Sequence, residues 1–125
     1  MNIPGLTTAK RASGAVAARR VIIHGASDGL AAQAAGSTAL LIGVSTDIPA
    51  ADGAPFDVIR SGLALVEYGG AVTLGAPLTA DAEGRAIAAA LPPTDTTYII
   101  GFAELSGVAG DIGSVHIAPA VLPVA

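Results

Sequence analysis

At 125 residues the chain is long enough for one domain with its own core, and its apolar half is built from small side chains: Ala dominates, aromatics are 3% and Trp is absent. No Cys is present, which excludes disulfides and thiolate metal sites, and no apolar run approaches the ~20 residues that a spanning helix requires. Charged residues make up 13%, against about 25% in typical soluble domains, and the net charge of −4 divides unevenly into +4 over residues 1–20 and −8 over the rest. So little charge on so apolar a chain favours association, and the basic start lacks the apolar segment of a secretion signal.

Residues 1–18 show no strand periodicity and are rich in Ala, Thr and Gly, with Lys10 and Arg11 followed by Arg19 and Arg20. Three readings are open: a tail without fixed structure, an arm that orders on an acidic partner, or a nucleic-acid contact. The last is the weakest, because four cations with no aromatic among them make a thin phosphate footprint and the acidic body opposes it. The expected division is an arm over 1–19 and a body over 20–125.

From Arg20 the chain becomes β-like. Val21-Ile22-Ile23-His24 closes at Gly25, and Asp28-Gly29 signals a turn. Residues 30–35 are Ala-rich but too short between Gly29 and Gly36 for a stable helix, so a short strand is expected. Residues 39–45 read as a fully buried strand, and residues 56–60 resume after a Pro/Asp/Gly loop. The apolar run in 61–68 suits a central strand that bends at Gly69-Gly70. Short segments follow at 71–75 and 77–80, then a polar turn at Asp81-Ala82-Glu83-Gly84. Residues 85–91 read as a strand or one helical turn, stopped by Pro92-Pro93; strands at 96–104 and 113–118 complete the body. Pro119 and Pro123 bracket a tail unsuited to a central strand.

Two stretches say nearly the same thing. Leu41-Ile42-Gly43-Val44-Ser45, a loop and Phe56-Asp57-Val58-Ile59 are echoed by Ile99-Ile100-Gly101-Phe102-Ala103, a loop and Ser114-Val115-His116-Ile117. Each copy is preceded by an acid-Gly step, Asp28-Gly29 or Glu83-Gly84. A period near 58 residues points to an all-β fold, a small β-barrel or β-sandwich of two pseudo-repeated halves with an extended N-terminal arm.

Residues that do chemistry are scarce. His24 and His116 have no His, Asp or Glu at metal-ligand spacing, so no metal site is expected. Asp28, Asp52, Asp81, Glu83 and Asp111 lie beside turn glycines and suit backbone capping rather than calcium, since no Asp-x-Asp-x-Asp-Gly run occurs. None of Ser45, Ser61, Ser106 and Ser114 sits in Gly-x-Ser-x-Gly, and no phosphate-binding glycine loop is present. No enzyme activity, catalytic residue or cofactor is expected. A ligand- or glycan-binding barrel is the alternative, although its stacking platform would have to come from Phe56, Tyr68, Tyr98 and Phe102, at least two of which read as core.

As a whole string, residues 19–119 resemble the small decoration, or capsid cement, proteins of tailed phages. The resemblance rests on Arg19-Arg20-Val21-Ile22, Phe56-Asp57-Val58-Ile59-Arg60-Ser61-Gly62, Val66-Glu67-Tyr68-Gly69-Gly70, Leu74-Gly75-Ala76-Pro77-Leu78-Thr79-Ala80-Asp81, Glu83-Gly84-Arg85-Ala86 and Val115-His116-Ile117-Ala118-Pro119. It implies a non-enzymatic virion protein, assembled in the host cytoplasm. The protein would bind the outside of the expanded capsid, typically as a homotrimer, and cement neighbouring major capsid protein subunits without nucleic acid or membrane partners. It also implies that the arm lies on the major capsid protein, so Lys10, Arg11, Arg19 and Arg20 become the expected capsid-binding residues. Before Arg19 the match reduces to basic, small-residue character.

Overall fold

A computed structural model of the chain describes residues 3–124; residues 1, 2 and 125 of the expected arm and body lie outside the described residues. Strands β1 (Ile3–Pro4), β2 (Thr7–Ala12), β3 (Val21–His24), β4 (Leu30–Gln33), β5 (Leu41–Ser45) and β6 (Pro55–Ile59) are followed by β7 (Gly62–Glu67), β8 (Pro77–Ala80), β9 (Ala86–Ala88), β10 (Thr97–Ala103) and β11 (Ile112–Leu122). No helix occurs among the described residues, and the all-β expectation holds.

Two sheets form. One is a closed barrel in the order β2-β4-β3-β5-β6, and the other is six-stranded in the order β1-β7-β11-β10-β8-β9. With β1 set aside, the second sheet reads β9-β8-β10-β11-β7, which matches the barrel's β4-β3-β5-β6-β2 strand for strand. The irregular backbone repeats as well. Val16 and Ala50 exchange both N–H···O bonds, and so do Val72 and Gly107; the Arg19 N–H donates to the Thr46 carbonyl as the Gly75 N–H donates to that of Ala103. The halves therefore span residues 7–59 and 62–117, with an offset of roughly 55 to 58 residues, as the period near 58 anticipates.

Here the structure corrects the N-terminal expectation. Residues 7–12 are not an arm: β2 pairs antiparallel with β6 from Thr7↔Ile59 to Arg11↔Pro55 and parallel with β4 at Arg11↔Leu30 and Ala12↔Ala31, which closes the barrel. It is the first strand of the first half, equivalent to β7. Ahead of it, β1 pairs with β7 in the other sheet, at Ile3↔Leu63 and Pro4↔Gly62. The N-terminal segment is thus a strap across both halves. It is pinned where the Gly5 N–H meets the Ser61 carbonyl at 2.9 Å and the Leu6 N–H meets Ser61 Oγ at 2.7 Å.

The halves differ in how they fill their interiors. In the barrel, Phe56 on β6 packs with Ala12, Val16, Ile22, Ala31, Ile42 and Val58. In the second half the ring comes from the opposite strand. Tyr68, one residue past β7 and equivalent to Ala12, is fully buried, and the residue equivalent to Phe56 is Gly113. A Cβ on Gly113 would collide with the Tyr68 ring, whose atoms are its three nearest neighbours. In each half one fully or nearly buried ring, Phe56 or Tyr68, fills room left for it on the facing strand, as close packing requires. The parallel closure of the second half shrinks to a single bridge, Tyr68↔Ala86.

The main core lies between the sheets, where Val21, Leu41, Val44 and Ile59 of the barrel meet Val66, Tyr68, Leu78, Ile100 and Val115. Strand β5 is buried throughout because Ile42 faces the barrel interior while Leu41 and Val44 face the second sheet, which explains its uninterrupted apolar run. Residues 71–75, read from the sequence as a short segment, contribute only the bridge Val72↔Gly107. β11 runs through Pro119, but its pairing with β7 ends at His116, so the proline lies where β11 keeps only β10 as a neighbour.

Candidate functional site

The four expected cations do not form one patch. On β2, Lys10 is the cross-strand partner of the core residue Phe56, so its Cα occupies an inward-facing position of the barrel, equivalent to the fully buried Val66. Its stem is half-buried. Arg11 faces outward, exposed, and one guanidinium nitrogen donates to the Gly53 carbonyl at 3.2 Å.

Arg20 is spent inside the molecule. It donates to the Glu83 carbonyl at 2.8 Å and pairs with Glu67 Oε1 at 3.3 Å, its side chain only 17% exposed. Around it, the Gln33 amide donates to the same Glu83 carbonyl and the Val21 N–H to that of Gly84. Arg20 therefore clamps the two halves together, with both terminal nitrogens engaged within the chain.

Arg19 differs from the other three. Its φ is +55°, the one non-glycine left-handed residue among those described, and its guanidinium makes no hydrogen bond or ion pair there. It lines a groove of about 250 Å³ at the junction of the halves, with Pro4 and Thr7 of the strap, Ser45 at the end of β5, Thr46 and Asp47 just beyond it, and Ile59 and Leu65. Ser45 is already engaged: its hydroxyl accepts from the Arg20 N–H and donates to the Ala17 carbonyl, both at 2.9 Å.

The turn acids do what turn chemistry requires. Asp81 accepts from the N–H groups of Glu83 and Arg85 and from Arg85 Nε; Asp52 accepts from the Gly14 N–H, and Asp111 from that of Val108. Among the described residues no group of three His, Cys, Asp or Glu converges as a metal site. His24 is exposed at the end of β3. His116 is exposed on the outer face of the second sheet, between its cross-strand partners Phe102 and Leu63. Tyr68 is a core group: burial pushes its phenol above the ordinary value of 10.0, partly opposed by a hydrogen bond from the Ser114 backbone, and its hydroxyl donates to the Leu105 carbonyl at 2.7 Å. Phe56 and Tyr68 are core, Tyr98 is half-buried against it, and Phe102 is the exposed aromatic among those described, so no stacking platform for a sugar assembles.

The polar side chains thus cap turns and tie the halves together, and the outer face of the second sheet carries the exposed Ile3 and Phe102 beside His116. Over residues 3–117 the sequence matches the family of phage cement proteins. The chain belongs to that family. Membership gives it a structural role associated with the phage capsid. The match begins at β1 and so takes in the N-terminal strands of this chain. Among solved structures the chain is similar to the head fiber gp8.5 N base of bacteriophage phi29, with 21% identity, a TM-score of 0.70, and coverage of 90% of this chain and 93% of that one. At that identity the likeness shows the fold alone. No curated protein matches the chain.

Proposed function

We propose that this cement protein binds the outer surface of the expanded capsid as a homotrimer and bridges neighbouring major capsid protein subunits, without acting as an enzyme. The observation that carries the reading is the family match over residues 3–117. Two features of the surface support it. The outer face of the second sheet presents Ile3, Phe102 and Ile112 to solvent, an apolar area suited to self-association. Arg11 and Arg19 are cations left available to an acidic partner, whereas Arg20 is committed internally and Lys10 stands on an inward-facing position.

Cementing is a linkage effect. A protein that binds only the assembled, expanded shell stabilises it by RT ln(1 + [L]/Kd), about 2.7 kcal/mol per site at a concentration 100-fold above Kd. Three chains in one trimer multiply a modest contact through avidity. Mixing the purified protein with expanded and unexpanded heads and pelleting them tests the binding: co-sedimentation with expanded heads is expected, and recovery in the supernatant with both would refute it. Sedimentation equilibrium tests the trimer, which a monomer at micromolar concentration would refute.

A further inference from the structure

We propose that the groove at the junction of the halves is the seat for an acidic side chain on an extended segment of the major capsid protein, with Arg19 as its anchor. The inference rests on the capsid-binding reading above and adds the site and the chemistry it selects.

The first observation is the backbone at Arg19. Its φ of +55° lies in the left-handed region, which L side chains disfavour. The second half has the same turn and the same N–H···O bond, and there the residue is Gly75, with φ +83°. The turn therefore calls for a left-handed residue; one copy meets that need with glycine, and the other carries a long cation at the cost of strain. An outlier kept where glycine serves equally well argues for a use of the side chain beyond the fold.

The second observation is what that side chain meets. Arg19 is half-buried, its five N–H donors have no protein acceptor among the described residues, and none of its nitrogens is among the buried unpaired atoms, so they stay accessible to a partner. Arg20 beside it is matched at both terminal nitrogens, to Glu67 and the Glu83 carbonyl, while its buried Nε has no partner. The groove also holds Ile59 and Leu65, which lower the local dielectric and strengthen a charge-assisted pair, and Thr7, whose hydroxyl is a second donor. Asp47 lines the same groove and sets the selectivity. It opposes a polyanion such as a nucleic-acid backbone more strongly than a single carboxylate whose neighbour offers it an N–H or a cation. An extended peptide with one Asp or Glu has that pattern.

The test compares wild type, Arg19→Gly and Arg19→Gln on expanded heads lacking this protein, by co-sedimentation at low and high salt, with Tm measured for each. Arg19→Gly places in the first half the residue that the second half already uses. Its Tm is expected to equal or exceed that of wild type, while its affinity for heads falls about tenfold or more and loses most of its salt dependence. If Arg19→Gly binds heads like wild type, with the same salt dependence, the groove is not the site and the inference is overturned. If its Tm falls, Arg19→Gln decides, because it keeps a long stem and loses only the charge: weakened binding supports the inference and wild-type binding overturns it. Failure of the wild type itself to pellet with heads strikes instead at the capsid-binding reading.

Discussion

Exchanging the aromatic ring between strands tests the claim that the two halves are one design built twice. Tyr68 is fully buried, and truncating such an aromatic to Ala costs about 3–5 kcal/mol through lost burial and the cavity left behind. About 1 kcal/mol of that is the 2.7 Å hydrogen bond to the Leu105 carbonyl. Gly113→Phe alone drives a second ring into the space the first occupies, since the three atoms nearest an added Cβ all belong to Tyr68, and the variant is expected to be recovered unfolded or not at all. The pair Tyr68→Ala with Gly113→Phe recreates the Ala12 and Phe56 arrangement of the barrel. Gly113 is free of left-handed strain, so the backbone accepts a side chain once the ring is gone. The double variant should recover about 2 kcal/mol or more of what Tyr68→Ala alone loses, and the coupling between the two sites exceeds that recovery by whatever Gly113→Phe alone costs. Urea unfolding followed by far-UV circular dichroism reads it as a shift in midpoint at unchanged slope. A double variant no more stable than Tyr68→Ala would refute the equivalence of the two interiors.

Two further outcomes follow from the same geometry. Burial raises the Tyr68 phenol above 10.0, so between the unfolded and folded values the native chain binds more protons than the unfolded one. Stability should be full below about pH 10 and fall as pH rises beyond it, and Tyr68→Phe should remove that part of the alkaline loss in urea midpoints taken from about pH 8 to about pH 11. Deleting residues 2–18 removes β2, leaves β4 and β6 without their partner and exposes the barrel core; the product should lack the cooperative unfolding of the whole chain by circular dichroism, whereas a cooperative transition would restore the reading of that segment as a separable arm.

Local pairing was legible in the sequence, and closure was not. The hairpin of β10 and β11 announces itself through β-branched runs around a Gly/Asp loop, and the buried β5 through its unbroken apolar run. Strand β2 does not, because Thr8, Lys10 and Ala12 share its inward face, and a lysine at a core-facing position erases the alternation that marks a strand. Its parallel partner β4 lies across a β-hairpin's worth of intervening chain, a pairing no local pattern encodes. The repeat was visible where both copies share glycines, as at Gly43 and Gly101, where an added Cβ would strike the carbonyls of Ile59 and His116. It was invisible at residues 7–12 against 62–67, where the strands match in pairing and not in residue type. Of the expected contact residues, the cluster of charge in residues 1–20 was legible, but the commitment of Arg20 to Glu67 and Glu83 depends on a strand end 47 residues away and a turn 63 residues away.

The duplication also separates charge needed for folding from charge available for binding. Each N-terminal cation has a counterpart in the second half: Val66 for Lys10, Glu67 for Arg11, Gly75 for Arg19 and Ala76 for Arg20. None of those counterparts is basic, and the second half builds the same strand order without them. A positive charge at these positions is therefore no requirement of the strand order itself. For Arg20 the structure supplies another use, since it ties the halves through Glu67, which is itself the counterpart of Arg11. For Arg19 it supplies none within the chain, and the left-handed backbone makes its retention costly. On the groove proposal, the return for that strain lies at a surface the chain meets. The stability and the shell affinity of Arg19→Gly should accordingly move in opposite directions, an outcome that a purely structural arginine does not produce.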